Sequence, residues 1–150
     1  YMKTEGKLNS TVLMIPLLYN ETLTEDLNER HPLLHIVNNI AHAAKKKLQT
    51  IHLGSTQTNK RQLIHSSDLA KAAIMAMSID TPLLNVANQE VFSMQEIVDK
   101  LRKKFGYSGK VTWENASKNV GPQALDCSLI KSKGWKANYS LDDVIDLICF

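Results

Sequence analysis

The stretch at residues 11–19, TVLMIPLLY, constrains what this chain can fold into more than any other. It is apolar throughout and does not alternate with period two. A short unbroken apolar run of this kind fits a strand buried on both faces, as in a parallel sheet. Proline cannot donate to a strand ladder, so Pro16 is expected near the strand's end. Such a strand needs neighbours on both sides. If they lay outside the chain, its apolar surface would drive oligomerisation or association with another chain.

The remaining segments alternate between the two periodicities. His31 and Pro32 open a helix, with proline in the first turn where its missing N–H costs nothing. Leu33, Ile36, Val37, Ile40 and Ala44 form its apolar stripe. His35 and His42 fall outside that stripe and read as surface residues. Residues 50–53 form a short strand ended by Gly54, and residues 61–64 a second extended segment. Ser66 or Ser67 is placed to cap the next helix, with Asp68 complementing its positive end. Residues 83–87 read as a strand, followed by a turn at Asn88, Gln89 and Glu90. Ser93 and Glu96 form a capping box for a helix carrying Ile97, Val98, Leu101 and Phe105, ended by Gly106. A strand at 111–113, a short helix at 128–133 stopped by Gly134 and a final helix capped by Ser140 complete the order. Trp113 and Trp135 are expected core anchors. Strands alternating with helices in this way indicate an α/β class.

Composition narrows the function classes. The 150 residues suffice for one domain, and 43% hydrophobic with 22% charged residues describes an ordinary globular chain. The net charge of +3 is mild. Its lysine clusters at 45–47 and 102–104 sit near helix ends, where cations favour the helix dipole. No broad basic face points to nucleic acid. Cys127 and Cys149 have no CxxC spacing and no histidine pair nearby, so no metal site is expected. No apolar run reaches the roughly 18–20 residues of a membrane span. No signal peptide is legible, and the two thiols suggest a reducing, cytoplasmic setting. The chain opens at Tyr1 rather than Met, which suggests a fragment. There is no GxGxxG fingerprint and no Walker A loop to seat a pyrophosphate.

Four segments, taken in order, resemble the C-terminal part of extended short-chain dehydrogenases/reductases. VLMIPLLYN at 12–20 resembles the family's LRxPxLYG strand. KRQLIHSSDLAKAA at 60–73 resembles its R-x-x-x-H-x-x-D element. LLNVANQEVFSMQEI at 83–97 resembles a strand-and-helix unit, and GPQALDCSLIKSKGW at 121–135 a late RPxxxxLDxSKLxxLGW motif. The sub-pattern is most similar to dTDP-4-dehydrorhamnose reductases and to methionine adenosyltransferase regulatory β subunits. The resemblance implies the C-terminal half of an NAD(P)-binding Rossmann-type fold, incomplete without an N-terminal dinucleotide-binding half. The 150 residues would then be a single substrate-side domain. They would belong to an NAD(P)-dependent nucleotide-sugar reductase or epimerase, not catalytic alone. The alternative is a non-catalytic regulatory or partner-binding subunit.

The same resemblance supplies candidate residues. Pro16, Leu17 and Leu18 correspond to the strand that lines the nicotinamide end of the cofactor site. Arg61 corresponds to an arginine facing the sugar nucleotide. YMKT at 1–4 resembles the start of the catalytic Tyr-x-x-x-Lys motif, which makes Tyr1 the proton donor; Glu5 then stands where lysine belongs. Aligning Lys3 with the lysine instead leaves the tyrosine missing. Met14, Asn20 and Gly121 depart from the family's arginine, glycine and arginine at those places. Methionine and glycine cannot offer a forked cation to phosphate. The implied cofactor is NAD or NADP, not bound by this chain alone. The implied partners are a separate N-terminal half, a second copy or a methionine adenosyltransferase-type catalytic subunit. His65 and Asp68 form a tempting acid–base pair, but packing for the histidine and helix capping for the aspartate explain them better. Asp126 and Ser128 are explained by local capping.

Overall fold

A proline has no N–H to give to a neighbouring strand, and the run at 11–19 breaks where Pro16 sits. The computed structural model describes residues 10–20, 32–54, 57–114 and 124–148. The broken run supplies two three-residue strands, β1 (Val12–Met14) and β2 (Leu17–Tyr19). They are followed by α1 (Pro32–Lys45), β3 (Thr50–Leu53), β4 (Lys60–Arg61), β5 (Leu63–His65) and α2 (Ser66–Ala76). Then come β6 (Leu83–Asn85), β7 (Phe92–Ser93), α3 (Met94–Phe105), β8 (Lys110–Trp113), α4 (Ser128–Ser132) and α5 (Leu141–Leu147).

The pairing explains the break. β1 runs parallel to β6, with Val12 opposite Leu83, whereas β2 runs parallel to β5, with Leu17 opposite Leu63. At Ile15–Pro16 the chain therefore passes from one partner strand to another. The expectation of one strand buried on both faces is corrected: Val12 is 53% and Met14 46% exposed. β3 pairs in parallel with β8, while β4 and β7 form a short antiparallel pair. The β7 strand, which the sequence reading did not assign, is held by that pairing.

Two hydrophobic cores result. In the first, Val37 and Ile40 of α1 meet Leu53 of β3, Leu63 of β5, and Val98 and Leu101 of α3. Each such fully buried aliphatic side chain contributes about 1.5–3 kcal/mol relative to exposure. In the second, Ala72 and Ala76 of α2 lie with Leu84, Val86, Ile130 and Trp135. The small alanines let α2 approach closely. Trp135 is a core anchor as expected, and Trp113 packs half-buried against the first core. His35 and His42 are exposed on α1.

The helix ends follow local chemistry. Ser93 and Glu96 form the expected capping box on α3, and Gly106 ends that helix in the left-handed region at φ 67°. Ser140 and Asp143 form a second box on α5. The Ser93 backbone and side-chain donors hold the Glu96 carboxyl below the usual glutamate range. The Ser140 donors do the same for Asp143, its hydroxyl first.

The α/β character is seen directly. The expectation of a C-terminal half, incomplete without a dinucleotide-binding half, is corrected. Three of the four strand pairs, β1–β6, β2–β5 and β3–β8, are parallel and joined through helices, and they draw on strands from β1 to β8. They close two cores from this chain's own residues.

Candidate functional site

The parallel register of β2 on β5 brings the separated candidates together. Leu17 lies opposite Leu63 and Leu18 opposite Ile64. Pro16, one residue before Leu17, is therefore level with Gln62 and one step from Arg61. Pro16 and Leu17 are half-buried, and Leu18 is 37% exposed. Leu17 packs against the first core, which leaves Ile15 and Leu18 as the exposed apolar side chains of this stretch. Arg61, half-buried at the end of β4, donates from Nη1 to the Lys60 carbonyl at 2.9 Å. Among the described residues no other acceptor is assigned to its guanidinium. Tyr1 lies outside the described residues, so the structure does not place it beside this stretch.

The floor of the site is polar and closed. Gln62 is 4% exposed, and both ends of its amide are engaged. Its Oε1 accepts from Leu125 N–H at 2.7 Å, and its Nε2 donates to the Asn88 carbonyl at 3.1 Å. Asn88 in turn donates to the Tyr139 carbonyl at 2.7 Å and accepts from Glu90 N–H. Beneath this layer His65 is 1% exposed between two aromatic rings. Tyr139 stacks tilted at 3.8 Å, and Tyr19 meets it edge-on at 5.1 Å.

The helix cap is not the one expected from sequence. Neither Ser66 nor Ser67 caps α2. His65 does, its Nδ1 accepting from Ser67 N–H at 3.3 Å. Because β5 runs directly into α2, the last strand residue is already at the N-cap. Asp68 is likewise freed from capping. Its carboxylate, 1% exposed, reaches across to residues 138–139. It accepts from Asn138 N–H at 2.8 Å, Asn138 Nδ2 at 3.1 Å and Tyr139 N–H at 3.2 Å. Trp135 Nε1 donates to the Asp68 carbonyl. His65 and Asp68 are thus neighbours committed to holding structure, as the sequence suggested, though by another route. Asp126 accepts from Ser128 N–H at 2.9 Å, and that bond is the main reason its carboxyl lies below the usual range.

Sequence reasoning missed Gln62, Asn88, Asn138 and Tyr139. The signal available was Gln62, an amide inside the otherwise apolar strand pattern QLI. A buried amide there has to find partners, but their positions, 26 and 63 residues away, were not legible.

A separate open cleft of about 700 Å³ lies between the start of β1 and the C-terminal turn of α2. Thr11, Leu13, Ala73, Ala76, Met77 and Thr81 line much of it. Pro16, Leu17, Leu18 and Arg61 are not among its lining residues. Among the described residues no cluster of His, Cys, Asp or Glu could hold a metal ion.

The exposed side chains of Ile15 and Leu18 are apolar and could border a flat ring. The first turns of α2, α3 and α5, whose N–H groups could take a phosphate, each give one N–H to a capping side chain: His65, Ser93 and Ser140.

The model of the NAD dependent epimerase/dehydratase family matches residues 1–87. The chain belongs to this family. Among curated relatives it is 25% identical over 116 residues to "Probable GDP-L-fucose synthase 1" of Oryza sativa subsp. japonica, covering 75% of this chain and 35% of that protein. It is 23% identical over 116 residues to "GDP-L-fucose synthase 1" of Arabidopsis thaliana, covering 75% of this chain and 36% of that protein. Among solved structures, a GDP-6-OMe-4-keto-L-xylo-heptose reductase from Campylobacter jejuni superposes with a TM-score of 0.78 at 19% identity. That likeness covers 92% of this chain and 52% of the reductase. A GDP-mannoheptose C4 reductase from the same organism, solved with NADP bound, superposes at 0.75 with 23% identity over 93% of this chain and 48% of its own. At these identities the solved structures establish the fold. The chain spans about a third of the length of the curated relatives and about half that of the solved ones.

These findings correct several expectations. The likeness to the extended family fold runs along more than nine-tenths of this chain, and the family model lies on its opening 87 residues. A purely C-terminal assignment is therefore set aside. The relatives named above are GDP-sugar synthases and reductases, and the family shown is that of the NAD dependent epimerases/dehydratases, which replaces the narrower likeness to dTDP-4-dehydrorhamnose reductases and methionine adenosyltransferase β subunits. The reading as a non-catalytic region or regulatory subunit is set aside on the same family match. The expected protein partner, whether a separate N-terminal half, a second copy or an adenosyltransferase-type subunit, is set aside as well, because the family model lies on this chain's own first 87 residues. Among the described residues no helix is long and apolar enough to cross a membrane.

Proposed function

We propose that this protein works as an NAD(P)-dependent oxidoreductase on a nucleoside-diphosphate sugar, in the reductase/epimerase class of its family. The observation that supports the reading is the family match over the first 87 residues, together with the place of Arg61 two residues before β5, the strand on which β2 lies. Pro16, Leu17 and Leu18 would border the nicotinamide side of the cofactor. Arg61 would pair its guanidinium with an anionic group of the substrate, for which a planar fork suits phosphate. NAD or NADP, when bound, supplies the hydride chemistry. Tyr1 is proposed as proton donor from its sequence position alone. GDP sugars are the first substrates to try, because the relatives' names specify them. A cytoplasmic location fits the sparse cysteines.

The test is to incubate the protein with NADPH and a GDP-linked 4-keto sugar and to follow loss of NADPH absorbance. Turnover is expected. Arg61→Ala should weaken sugar-nucleotide binding about 10–100-fold, the size of a lost charge-assisted pair. No nicotinamide binding by calorimetry, together with no turnover, would overturn the reading.

A further inference from the structure

Gln62 buries an amide where an aliphatic side chain would pack more cheaply, and both of its ends are used. Its Oε1 holds Leu125 N–H and its Nε2 holds the Asn88 carbonyl. Three chain segments therefore meet on one side chain: the joint between β4 and β5, the exit from β6 and the approach to α4. Arg61 is the next residue along, on a strand of only two residues, β4. So short a strand fixes little by itself. The direction of Arg61 is set by the pairing of Arg61 with Phe92 on one side and by the anchored Gln62 on the other. In extended backbone, successive side chains point to opposite faces, so inward anchoring of Gln62 aims Arg61 outward.

We propose that Gln62 is a positioning residue for the anion-binding arginine, a role that rests on the functional reading given above. It acts through Arg61 and does not touch substrate. Losing the anchor lets the β4–β5 joint shift, and the guanidinium then spends part of its time away from the anion. A misplacement of this kind lowers affinity for the whole sugar nucleotide, so KM changes before kcat.

The experiment compares wild type, Gln62→Met, Arg61→Ala and the double variant in NADPH turnover with a GDP-linked 4-keto sugar and in calorimetry with GDP. Amide hydrogen exchange is followed at Leu125. Gln62→Met should speed Leu125 exchange and raise KM about tenfold with kcat little changed. In the Arg61→Ala background it should add almost nothing, because the two residues act in series. Should Gln62→Met fail to fold, Gln62→Asn keeps an amide but shortens its reach, so that one of the two partners is lost, and it should give a smaller KM rise of the same kind. If Gln62→Met lowers Tm but leaves KM and GDP affinity at wild-type values, or if its effect adds fully to that of Arg61→Ala, the inference fails while the functional reading stands. If the wild type itself binds no GDP and turns over no NADPH, the functional reading has failed and takes this inference with it.

Discussion

Replacing Asp68 by asparagine removes a charge and little else, and the structure allows the cost to be worked out. The carboxylate is sealed from water and accepts three hydrogen bonds, two from backbone N–H groups at 138–139 and one from the Asn138 amide. A hydrogen bond to a charged group contributes about 1.5–3 kcal/mol, a neutral one about 0.5–1.5. An asparagine that keeps its oxygen where Oδ2 now lies retains both backbone bonds at neutral strength and forfeits about 1 kcal/mol on each. Its NH2 then faces Asn138, whose amide must turn over to accept. Lys71, 3.9 Å away and largely exposed, contributes close to nothing. The expected loss is about 2–3 kcal/mol, or roughly 5–10 °C in Tm for a domain of this size. Asp68→Ala leaves three donors without an acceptor and should cost about 3–5 kcal/mol. Urea and thermal unfolding of both variants, with a double-mutant cycle against Asn138→Ala, measure these values. A Tm for Asp68→Asn within about one degree of wild type would refute the reasoning, because it would mean that water already reaches the carboxylate.

Ser93→Ala should destabilise α3 by about 1 kcal/mol at neutral pH. The Glu96 carboxyl is held low in the folded state, so the stability it adds is present above the usual glutamate range and disappears as pH falls through the lowered value; wild type and Ser93→Ala should therefore converge in acid denaturation. Gly109→Ala places a Cβ 2.6 Å from the Leu48 carbonyl oxygen and closer still to the Tyr107 ring; a loss of about 1–3 kcal/mol is expected on urea unfolding, and an unchanged midpoint would contradict the packing described. Cys127 is buried, and burial pushes its thiol pKa up; peptide mapping after alkylation at neutral pH should find it modified far more slowly in the native protein than in urea.

Much of the fold was legible because it is written in local signals. The α3 capping box, the Gly106 stop, the α1 stripe and the Ser140 cap each lie within a few residues of one another. What was not legible depends on distance along the chain. TVLMIPLLY reads as one buried strand because nothing local says that β6 takes its first half and β5 its second. His65 takes over the cap from the serines only because the strand runs into the helix without a loop. Asp68 looks like a capping residue until its partners, 70 and 71 residues later, are seen. The candidate residues Pro16, Leu17, Leu18 and Arg61 came from motif likeness, and only the parallel register of β2 on β5 shows that Leu17 and Leu18 run beside the strand that follows Arg61. Gln62, buried one residue after Arg61, gave no motif at all.

The reach of Asp68 to residues 138–139 bears on how the chain is made. A ribosome completes α2 and its carboxylate long before Asn138 and Tyr139 emerge. Until they do, the charge at Asp68 must stay hydrated, and the second core cannot seal over it. Synthesis that stalls after Trp135 would leave a product without α5 and without the hydrogen-bond partners of the Asp68 carboxylate at 138–139, so that its interior stays wet, which quality-control proteases can tell from the finished fold.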